Sequence, residues 1–261
     1  MKISFYKYQG TGNDFVILNN YSEAAPALST KQIEKLCHRR WGVGADGLML
    51  LSKKEGYDFE MIYYNADGKE SSMCGNGGRC LTKFAWHQGL HKTHYRFLAT
   101  DGEHEAEIEM NGIVRLKMKD VNAVEEHPSY AVLDTGSPHY VKFENNIKDI
   151  NVTQAGRTIR NSHAYADAGI NVNFVESTDE DSIYVRTYER GVEDETFSCG
   201  TGVTAAALVS AHNDNGFNRV EVKTPGGHLS VEFNKIDDQH FNDIWLCGPA
   251  ELVYKGEIDI E

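Results

Sequence analysis

The sequence predicts an α/β (α+β) fold of two pseudo-symmetric, duplicated domains, each a mostly antiparallel, barrel-like sheet of strands around a central helix. Three observations lead to this prediction. A glycine-rich motif that begins with cysteine occurs twice, at Cys74 and at Cys199. Shorter anchors recur at nearly the same spacing, and segments rich in aromatic and β-branched residues, which are typical of strands, surround each copy. A repeat of about 120 residues is an ordinary domain size.

The anchors of the repeat hold one register to within a residue. Cys74-Gly75-Asn76-Gly77 returns 125 residues later as Cys199-Gly200-Thr201-Gly202. The other anchors are Thr11-Gly12 with Thr135-Gly136, Gly44 and Asp46 with Gly169 and Asn171, Asn65 with Arg190, and Thr100, Gly102 and His104 with Thr224, Gly226 and His228. Glycines aligned by chance would drift in register, so we interpret the pattern as a duplication.

Strand signals agree between the copies. In the first copy the predicted strands are Met1 to Tyr8, Tyr57 to Tyr64, Tyr95 to Ala99, Ala106 to Met110 and Val114 to Met118. In the second copy they are Asp181 to Tyr188, Arg219 to Lys223, Leu229 to Phe233 and Phe241 to Cys247. Each half is therefore expected to consist mostly of strands.

Two helices are expected in each copy. Ser29 and Gln32 form a capping box, which is followed at helical spacing by Ile33, Leu36, Cys37 and Trp41, and Val152 to Asn161 is the weaker counterpart. The second helix of each copy begins at the cysteine motif. It is expected to stop near Gly89 in the first copy and near Gly216 in the second.

We place the first domain at residues 1–121 and the second at residues 122–249. The join is expected near Val121 to Ser129, where Pro128 and a short acidic stretch interrupt the pattern. The tail, residues 250–261, has no counterpart at the start of the second copy. We expect it to return to the first domain as an extra strand.

Composition excludes several classes of protein. Lys and Arg total 26 against 39 Asp and Glu, a formal charge of −13 that disfavours a nucleic-acid partner. No apolar run approaches the roughly 20 residues of a membrane-spanning helix, and the strand-like start has no signal-peptide core. We expect a soluble, cytoplasmic protein with neither a nucleic-acid nor a membrane partner.

The pattern of the five cysteines is not typical of a disulfide-bonded or metal-binding protein. Their number is odd and no Cys-x-x-Cys pair occurs, so neither a disulfide framework nor a structural metal site is predicted. Cys37, Cys80 and Cys247 are interpreted as core residues. For Cys74 and Cys199, the duplicated, glycine-flanked helix start instead indicates reactive thiols with a catalytic role.

A cysteine at the first turn of a helix lies beside unpaired backbone N–H groups and the positive end of the helix dipole. These stabilise its thiolate relative to the free thiol, whose pKa is about 8.5. The adjacent glycines allow a carboxylate to approach the same N–H groups. Two such helix starts facing each other could bind the carboxylate of an amino acid and stabilise the carbanion formed when its α-proton is removed. One thiolate would remove the proton, and the thiol on the opposite face would deliver another, with coupled titrations.

Four stretches strongly resemble the diaminopimelate epimerase family, in the same order and over nearly the whole chain. They are Gly10 to Phe15 (GTGNDF), Tyr64 to Cys80 (YNADGKESSMCGNGGRC), Ser137 to His139 (SPH) and Glu189 to Gly202 (ERGVEDETFSCGTG). The resemblance implies an enzyme that needs no pyridoxal cofactor and interconverts LL- and meso-diaminopimelate in lysine and peptidoglycan biosynthesis. It also implies two similar domains with the active site in the interdomain cleft, and a homodimer.

The resemblance also implies roles for individual residues. Cys74 and Cys199 would be the catalytic pair, with His139 and Glu189 beside them to assist proton transfer. The residues expected to hold the reacting end are Asn13 and the backbones of Gly75, Asn76, Gly200 and Thr201, and those expected to bind the distal amino-acid end are Asn65, Ser137, Asn171, Glu189 and Arg190. In the family pattern, many members have Asn at the position of Ser137 and some have Gln at that of Gly47. The first difference affects one distal hydrogen bond, because a hydroxyl offers one donor and an amide offers two.

Other interpretations stay open. The glycine-rich loops at Gly10 and Gly42 lack the strand and helix context of a dinucleotide site. A proline racemase-like or hydroxyproline epimerase-like enzyme would share the two Cys-Gly helix starts, but such enzymes usually have His at the position of Asn76 and need no distal amino-acid site. A thiol redox or binding protein could instead join Cys74 and Cys199 in a reversible disulfide. From the residues alone, Asn13, Asn65 and Asn171 could equally be turn residues.

Overall fold

The computed structural model describes residues 1–22, 24–179, 181–211 and 215–260. The chain forms two units, Met1–Leu116 together with Gly248–Glu261, and Lys117–Cys247. The first unit ends at Leu116, earlier than the predicted residue 121. Val121 to Ser129, where we expected the join, lies in the second unit, and Pro128 stands in the turn of a hairpin in which His127 pairs with Tyr130. Glu261, the last residue of the predicted returning tail, lies outside the described residues.

The first unit is a sheet with two helices. Its elements are β1 (Lys2–Gly10), β2 (Asn13–Asn20), α1 (Thr30–Cys37), β3 (Gly47–Ser52), β4 (Phe59–Asn65), β5 (Glu70–Ser71), α2 (Gly75–His87), β6 (His94–Ala99), β7 (Gly102–Ile108), β8 (Val114–Lys117) and β18 (Glu251–Asp259). The strands lie in the order β18-β1-β2-β3-β4-β6-β7-β8, with β5 beside β4. The parallel pairs, β2 with β3 and β4 with β6, are each connected through a helix, because parallel neighbours require a crossover.

The second unit has the same architecture. Its elements are β9 (Val124–His127), β10 (Tyr130–Asp134), β11 (Pro138–Phe143), a 3₁₀-helix (Ile147–Asp149), α3 (Val152–Arg160), β12 (Asn171–Asp179), β13 (Ser182–Glu189), β14 (Asp194–Thr196), α4 (Gly200–Ser210), β15 (Gly216–Thr224), β16 (Gly227–Lys235) and β17 (Phe241–Gly248). The strands lie in the order β9-β10-β11-β12-β13-β15-β16-β17, with β14 beside β13. In the first unit, β18 pairs with β1 where the second unit uses β9 beside β10.

The helices that begin at the cysteine motifs, α2 and α4, are the central helices. α2 contacts β1, β2, β3, β4, β7 and β18, and α4 contacts β10, β11, β12, β13, β15 and β16. Nearly all side chains of α4 are buried, as expected of a helix that is apolar on every side. The predicted fold of strands around one central helix per duplicated half is confirmed. No helix within the described ranges is long and apolar enough to cross a membrane.

The predicted capping box is present, but α1 is shorter than its apolar pattern. Ser29 and Gln32 cap each other at the N-terminus of α1, and the helix ends at Cys37. The ring Nδ1 of His38 accepts the backbone N–H groups of Arg40 and Trp41, both at 3.1 Å. These bonds turn the chain away from the helix, so Trp41 is 74% exposed rather than part of the buried face.

The other predicted ends agree in part. α2 ends at His87, and Gly89 with φ 96° follows it, so the predicted stop is confirmed. α4 already ends at Ser210, and Gly216 begins β15. β7 ends at Ile108, before Met110, because the backbone N–H groups of Gly112 and Ile113 bond to Glu109 and Asn111 in the turn that follows.

Sheet pairing corrects the repeat register at the last anchor. The hairpin glycine with positive φ is Gly102 in the first unit, where it pairs with Ala99, and Gly227 in the second, where it pairs with Thr224. Thr224 is therefore equivalent to Ala99, and not to Thr100.

The same correction passes across the sheets. Phe97 lies two residues before Ala99 and Val222 lies two residues before Thr224, so these two residues are equivalent. Phe97 pairs with Phe59 on the neighbouring parallel strand, and Val222 pairs with Ile183, so Phe59 is equivalent to Ile183. Following β4 and β13 to their ends, Asn65 is equivalent to Glu189, and not to Arg190. The repeat spacing of 125 predicted Arg190 instead, because the loop from Glu189 to Cys199 is one residue longer than the loop from Asn65 to Cys74.

Candidate active site

The two cysteine motifs adopt the same local structure. Cys74 is the N-cap of α2 and Cys199 is the N-cap of α4, both with extended backbone. Each carbonyl accepts the first helical hydrogen bond, from Gly78 at 2.7 Å and from Val203 at 2.8 Å. Both cysteines thus lie where a helix presents N–H groups that have no partner within the helix. Cys74 is half-buried and Cys199 is 7% exposed.

Asn13 connects Cys74 to its surroundings in the first unit. Its Oδ1 accepts from the Cys74 thiol at 3.5 Å and from Asn76 Nδ2 at 3.4 Å. Its Nδ2 donates to Asp46 Oδ2 at 2.5 Å, which fixes the orientation of the amide. Asn13 is therefore a positioned acceptor beside the thiol, and the structure brings together Asn13, Cys74 and Asn76 as expected. Asp46, to which the sequence assigned no role, completes this group. Strand pairing makes Gly47, and not Asp46, the equivalent of Asn171.

A buried guanidinium lies beneath the start of α2. Arg79 is fully buried, and its Nη2 donates to Thr11 Oγ1 at 2.9 Å and to Asn76 Oδ1 at 3.0 Å. Thr11 has a positive φ of 51°, which is unusual for a β-branched residue. The Arg79 contact holds this turn against α2. Sequence reasoning did not single out Arg79, although it lies within the motif.

An ion-pair network surrounds Asp14, the neighbour of Asn13 on β2. Lys7 Nζ lies 2.7 Å from Asp14 Oδ2, and Arg39 Nη2 lies 2.7 Å from both Asp14 Oδ1 and Asp46 Oδ1. Burial alone would raise the pKa of Asp14, but hydrogen bonds from Arg39 and Lys7 outweigh it and lower this pKa to about 2. The carboxylate thus stays charged, and Arg39 ties Asp46 to the same strand.

The start of α4 is attached to the β10–β11 turn in the second unit. Thr135 Oγ1 donates to the carbonyl of Thr201 at 2.8 Å. The Cys199 sulfur lies 3.5 Å from Thr201 Oγ1. Thr135, noted only as a repeat anchor, therefore orients the turn that follows Cys199.

Ser137, Asn171 and Arg190 form one hydrogen-bonded group. Asn171 Nδ2 donates to Ser137 Oγ at 2.9 Å and to the carbonyl of Pro138 at 3.0 Å, and its Oδ1 accepts the backbone N–H of Arg190 at 2.9 Å. The exposed Arg190 guanidinium donates to Ser137 Oγ at 3.3 Å and to the carbonyl of Ala168 at 3.0 Å. Ser137 supplies an acceptor to both neighbours, so its hydroxyl has a defined structural use.

Glu189 and Asn65 lie at the ends of the equivalent strands β13 and β4. Glu189 Oε2 accepts from Thr196 Oγ1 at 2.9 Å. Asn65 ends β4 and opens a turn in which Gly68 N–H bonds to its carbonyl at 2.9 Å. Its exposed side chain makes no hydrogen bond to any residue that the structure describes, so a turn role is evident and a binding role stays a prediction.

His139 is completely buried, with 0% exposure, on β11. Its Nδ1 accepts from Asn173 Nδ2 at 3.1 Å, while its Nε2 has no hydrogen-bond partner among the described residues. Burial, assisted by the nearby charge of Arg190, lowers the pKa of His139 to about 3. The imidazole is therefore neutral near pH 7. Sequence reasoning missed Asn173 and its neighbour Thr187 because neither belongs to a motif.

The remaining cysteines are core residues, as interpreted from the sequence. Cys37, Cys80 and Cys247 are each less than 5% exposed. Burial raises the pKa of Cys37 and of Cys80 to about 12. Both are therefore protonated thiols at neutral pH.

Comparisons with known proteins identify the family of the chain. The family model of diaminopimelate epimerase matches residues 5–124 and 131–253. A relative from Flavobacterium psychrophilum, named diaminopimelate epimerase, is 48% identical over 257 residues that cover 98% of this chain and 100% of that protein.

Solved structures share the fold at low identity. A Bacillus anthracis phenazine biosynthesis protein of the PhzF family superposes with a TM-score of 0.75 at 16% identity, covering 100% of both chains. A probable proline racemase from Agrobacterium radiobacter K84 gives 0.69 at 13% identity, covering 99% of this chain and 93% of that one. These structures show the fold alone. The family model and the sequence relative show that the chain belongs to the diaminopimelate epimerase family, whose members are isomerases.

Proposed function

We propose that the chain interconverts LL- and meso-diaminopimelate without an organic cofactor or metal, and that Cys74 and Cys199 are its acid and base. The observation that carries this proposal is that both cysteines hold the same N-cap position in two units with the same strand order. The family supplies the substrate.

The reaction needs a stabilised carbanion and two proton carriers. The substrate carboxylate accepts hydrogen bonds from the backbone N–H groups of Gly75 and Asn76 and of Gly200 and Thr201, where the helix dipoles favour negative charge. One cysteine thiolate takes the α-proton and becomes a thiol. The other thiol gives its proton to the opposite face of the same carbon and becomes the thiolate. No net proton is consumed, and the reverse reaction exchanges the two roles.

Asn13 serves the Cys74 side in this scheme. Its Oδ1 accepts from the Cys74 thiol, and the contact from Nδ2 to Asp46 keeps Oδ1 in place. When Cys74 has given up its proton, it can no longer donate to Asn13 Oδ1. The backbone N–H groups at the start of α2 are then the main contacts that stabilise the Cys74 thiolate. Glu189 and His139 are proposed to assist the proton transfers.

The group of Ser137, Asn171 and Arg190 is proposed to bind the distal amino-acid end, with Asn65 and Glu189. Arg190 is held by Ala168 and Ser137, so a distal carboxylate meets a guanidinium whose position is already fixed. A substrate without a second amino-acid end would not use this group. This feature favours diaminopimelate over proline.

Solvent exchange tests the reaction. In D₂O under reducing conditions and without added cofactor, LL-diaminopimelate should yield meso product that carries deuterium at the inverted carbon. Early in the reaction the remaining LL substrate should hold little deuterium, because the delivered and the abstracted protons belong to different thiols. Exchange with proline and none with diaminopimelate would support the proline racemase interpretation, and no exchange with either would exclude both enzymes.

Single cysteine variants test the pair. Cys74→Ala and Cys199→Ala should each abolish inversion, since each removes one proton carrier. Cys37→Ala, which removes a buried thiol of α1, is the matched control and should retain activity. If either N-cap variant epimerised at a rate near that of the unchanged protein, the two-thiol mechanism would be wrong.

The expected homodimer also stays a prediction that rests on the resemblance. Leu252, Val253 and Tyr254 expose apolar side chains on β18, which is compatible with a second copy as partner. Sedimentation equilibrium should give twice the chain mass of 29.3 kDa. A monomer at micromolar concentration would contradict it. The cytoplasmic location stays a prediction as well.

A further inference from the structure

Three positions on the sheet beneath the central helix differ in character between the two units. In the second unit they are the polar residues His139, Asn173 and Thr187, all less than 4% exposed. Asn173 pairs with Thr187 across β12 and β13, as Met49 pairs with Tyr63 across β3 and β4. His139 and Phe15 occupy the equivalent place on the next strand, because His139 pairs with Asn171 and Phe15 pairs with Gly47.

The equivalent residues of the first unit are Phe15, Met49 and Tyr63, which are two apolar side chains and one aromatic ring that carries a hydroxyl. The rings of Phe15 and Tyr63 contact each other edge to face with centroids 6.0 Å apart. The fold therefore forms without a buried imidazole or amide here, because Phe15 stands where the second unit has His139 and Met49 stands where it has Asn173. Burying polar groups instead brings a desolvation penalty, so the polar set of the second unit indicates a use other than folding.

The hydrogen bonds of the polar set determine the tautomer of His139. Asn173 Nδ2 lies 3.1 Å from the carbonyl of Tyr140, which can only accept, so this atom must be the amide nitrogen. Asn173 Oδ1 accepts from Thr187 Oγ1 at 2.9 Å, which agrees with that orientation. Asn173 therefore donates to His139 Nδ1, and the ring proton of the neutral imidazole must be on Nε2.

This arrangement leaves a buried donor beside α4. The Nε2–H of His139 has no acceptor among the described residues, although buried donors are normally paired. Asn173, which bonds to His139, lies against the first turn of α4, because a Cβ added to Gly202 would lie 2.4 Å from Asn173 Oδ1 and 3.4 Å from Cys199 Cβ. The strand of His139, β11, also contacts α4. The anions expected at this helix start are the Cys199 thiolate and the substrate carboxylate.

We propose that Asn173 and Thr187 are positioning residues that hold His139 as its Nε2–H tautomer, and that this N–H donates a hydrogen bond to an anion at the start of α4. The proposal rests on the proposed function, and it changes the role of His139 from a base to a hydrogen-bond donor. Its Nδ1 lone pair is occupied by Asn173 and its Nε2 already carries the proton, so the neutral ring has no site that accepts a proton from a thiol.

Nitrogen-15 NMR of the full chain tests the tautomer without relying on activity. In the unchanged protein, Nε2 should show the shift of a protonated nitrogen and Nδ1 that of an unprotonated, hydrogen-bonded one. Asn173→Asp, which offers His139 Nδ1 an acceptor in place of a donor, should move the proton to Nδ1. An Nδ1–H tautomer or a cationic ring in the unchanged protein at pH 7 would overturn the assignment.

The same spectra identify the anion. In the substrate-free protein, the Nε2 chemical shift of His139 should change as the pH is raised and Cys199 ionises. If this change is absent in Cys199→Ala, the acceptor is the Cys199 thiolate. A shift that appears only with bound diaminopimelate would assign the carboxylate. No change of Nε2 in either experiment would contradict the donor role.

Kinetics distinguish a donor from a base. His139→Gln keeps an N–H near the Nε2 position but no basic nitrogen, whereas His139→Phe copies the residue of the first unit and keeps neither. We expect His139→Gln to remain within about tenfold of the unchanged kcat and His139→Phe to lose roughly 10²- to 10³-fold, the loss typical of removing one such donor. Equal, large losses in both variants would show that His139 acts as a base.

Variants of the positioning residues complete the test. Thr187→Ser keeps the hydroxyl and should retain the tautomer and kcat, while Thr187→Val should lower kcat more than it raises KM. Asn173→Asp should reduce kcat to the level of His139→Phe, and a wild-type rate with the Nδ1–H tautomer would refute the proposal. If the unchanged protein shows no epimerase activity, the proposed function fails, while the NMR assignment still decides the tautomer.

Discussion

Gly77 and Gly202 are the third residues of α2 and α4, and replacing each by alanine should have opposite consequences. A Cβ on Gly202 would lie 2.4 Å from Asn173 Oδ1, an atom held in a hydrogen bond. A Cβ on Gly77 would meet Met49 Sδ at 3.1 Å and Met61 Cε at 3.3 Å, the far ends of flexible side chains. The two substitutions are chemically identical, so they share one helix-propensity gain of up to about 1 kcal/mol.

The magnitude follows from the required movement. An ordinary contact needs about 3.4 Å, so Asn173 Oδ1 must retreat by about 1 Å from its 2.4 Å position. That movement breaks the hydrogen bond from Thr187 and leaves a buried amide oxygen unsatisfied, a loss of about 1–3 kcal/mol, and overpacking strain adds about 1 kcal/mol. Gly77→Ala requires only side-chain adjustment of methionines. We expect Gly202→Ala to be less stable than Gly77→Ala by roughly 2–4 kcal/mol.

Urea and thermal unfolding of the two variants and the unchanged protein measure this difference. It corresponds to a separation in Tm on the order of 5–15 °C for a chain of this size. Asn173→Ala provides the control, because it removes the colliding oxygen. On that background Gly202→Ala should destabilise much less. Equal stability of Gly202→Ala and Gly77→Ala would refute the proposed close contact.

Two further predictions concern Asp14 and Ser137. The folded pKa of Asp14, about 2, lies below its ordinary value of 3.8 because of Arg39 and Lys7, so its stabilising contribution is present above pH 4 and is lost as the pH falls from about 4 to about 2. Asp14→Asn should therefore be less stable than the unchanged protein by about 2 kcal/mol at pH 6, and urea unfolding should show the difference shrinking to nothing near pH 2. Ser137→Ala removes an acceptor for Asn171, so steady-state kinetics should show KM for diaminopimelate raised about 2- to 10-fold with kcat little changed, and a fall in kcat alone would contradict a binding role.

Local signals in the sequence predicted most of the elements. The capping box at Ser29 and the glycine-flanked starts at Cys74 and Cys199 depend on residues within one turn, so the chain itself specifies them. The early end of α1 is equally local, but it arises from the His38 ring, which competes for backbone donors, and residue spacing does not reveal that.

Sheet register could not be predicted with the same accuracy. The equivalence of Asn65 with Glu189 depends on the pairing of strands far apart in the chain, and a one-residue difference between two loops shifts it. The polar set of His139, Asn173 and Thr187 has the same origin. Its members lie on three separate strands, and only strand pairing brings them together. His139 belongs to a sequence motif, whereas Asn173 and Thr187 belong to none. Its signal in the sequence is the contrast with Phe15, Met49 and Tyr63, which becomes visible once the register is known.

The pairing of β18 with β1 has a consequence for how the chain folds during synthesis. The second unit receives its corresponding strand, β9, immediately before β10, so that pairing closes a loop of a few residues. The first unit must wait for β18 until the ribosome has made the whole second unit, because Gln9 pairs with Glu251 and Lys2 with Asp259. Closing so long a loop brings a larger entropic penalty, and until then β1 presents an unpaired edge. The unit that is translated first is therefore the unit that is completed last, and a chaperone that covers β1 would protect the nascent chain from aggregation.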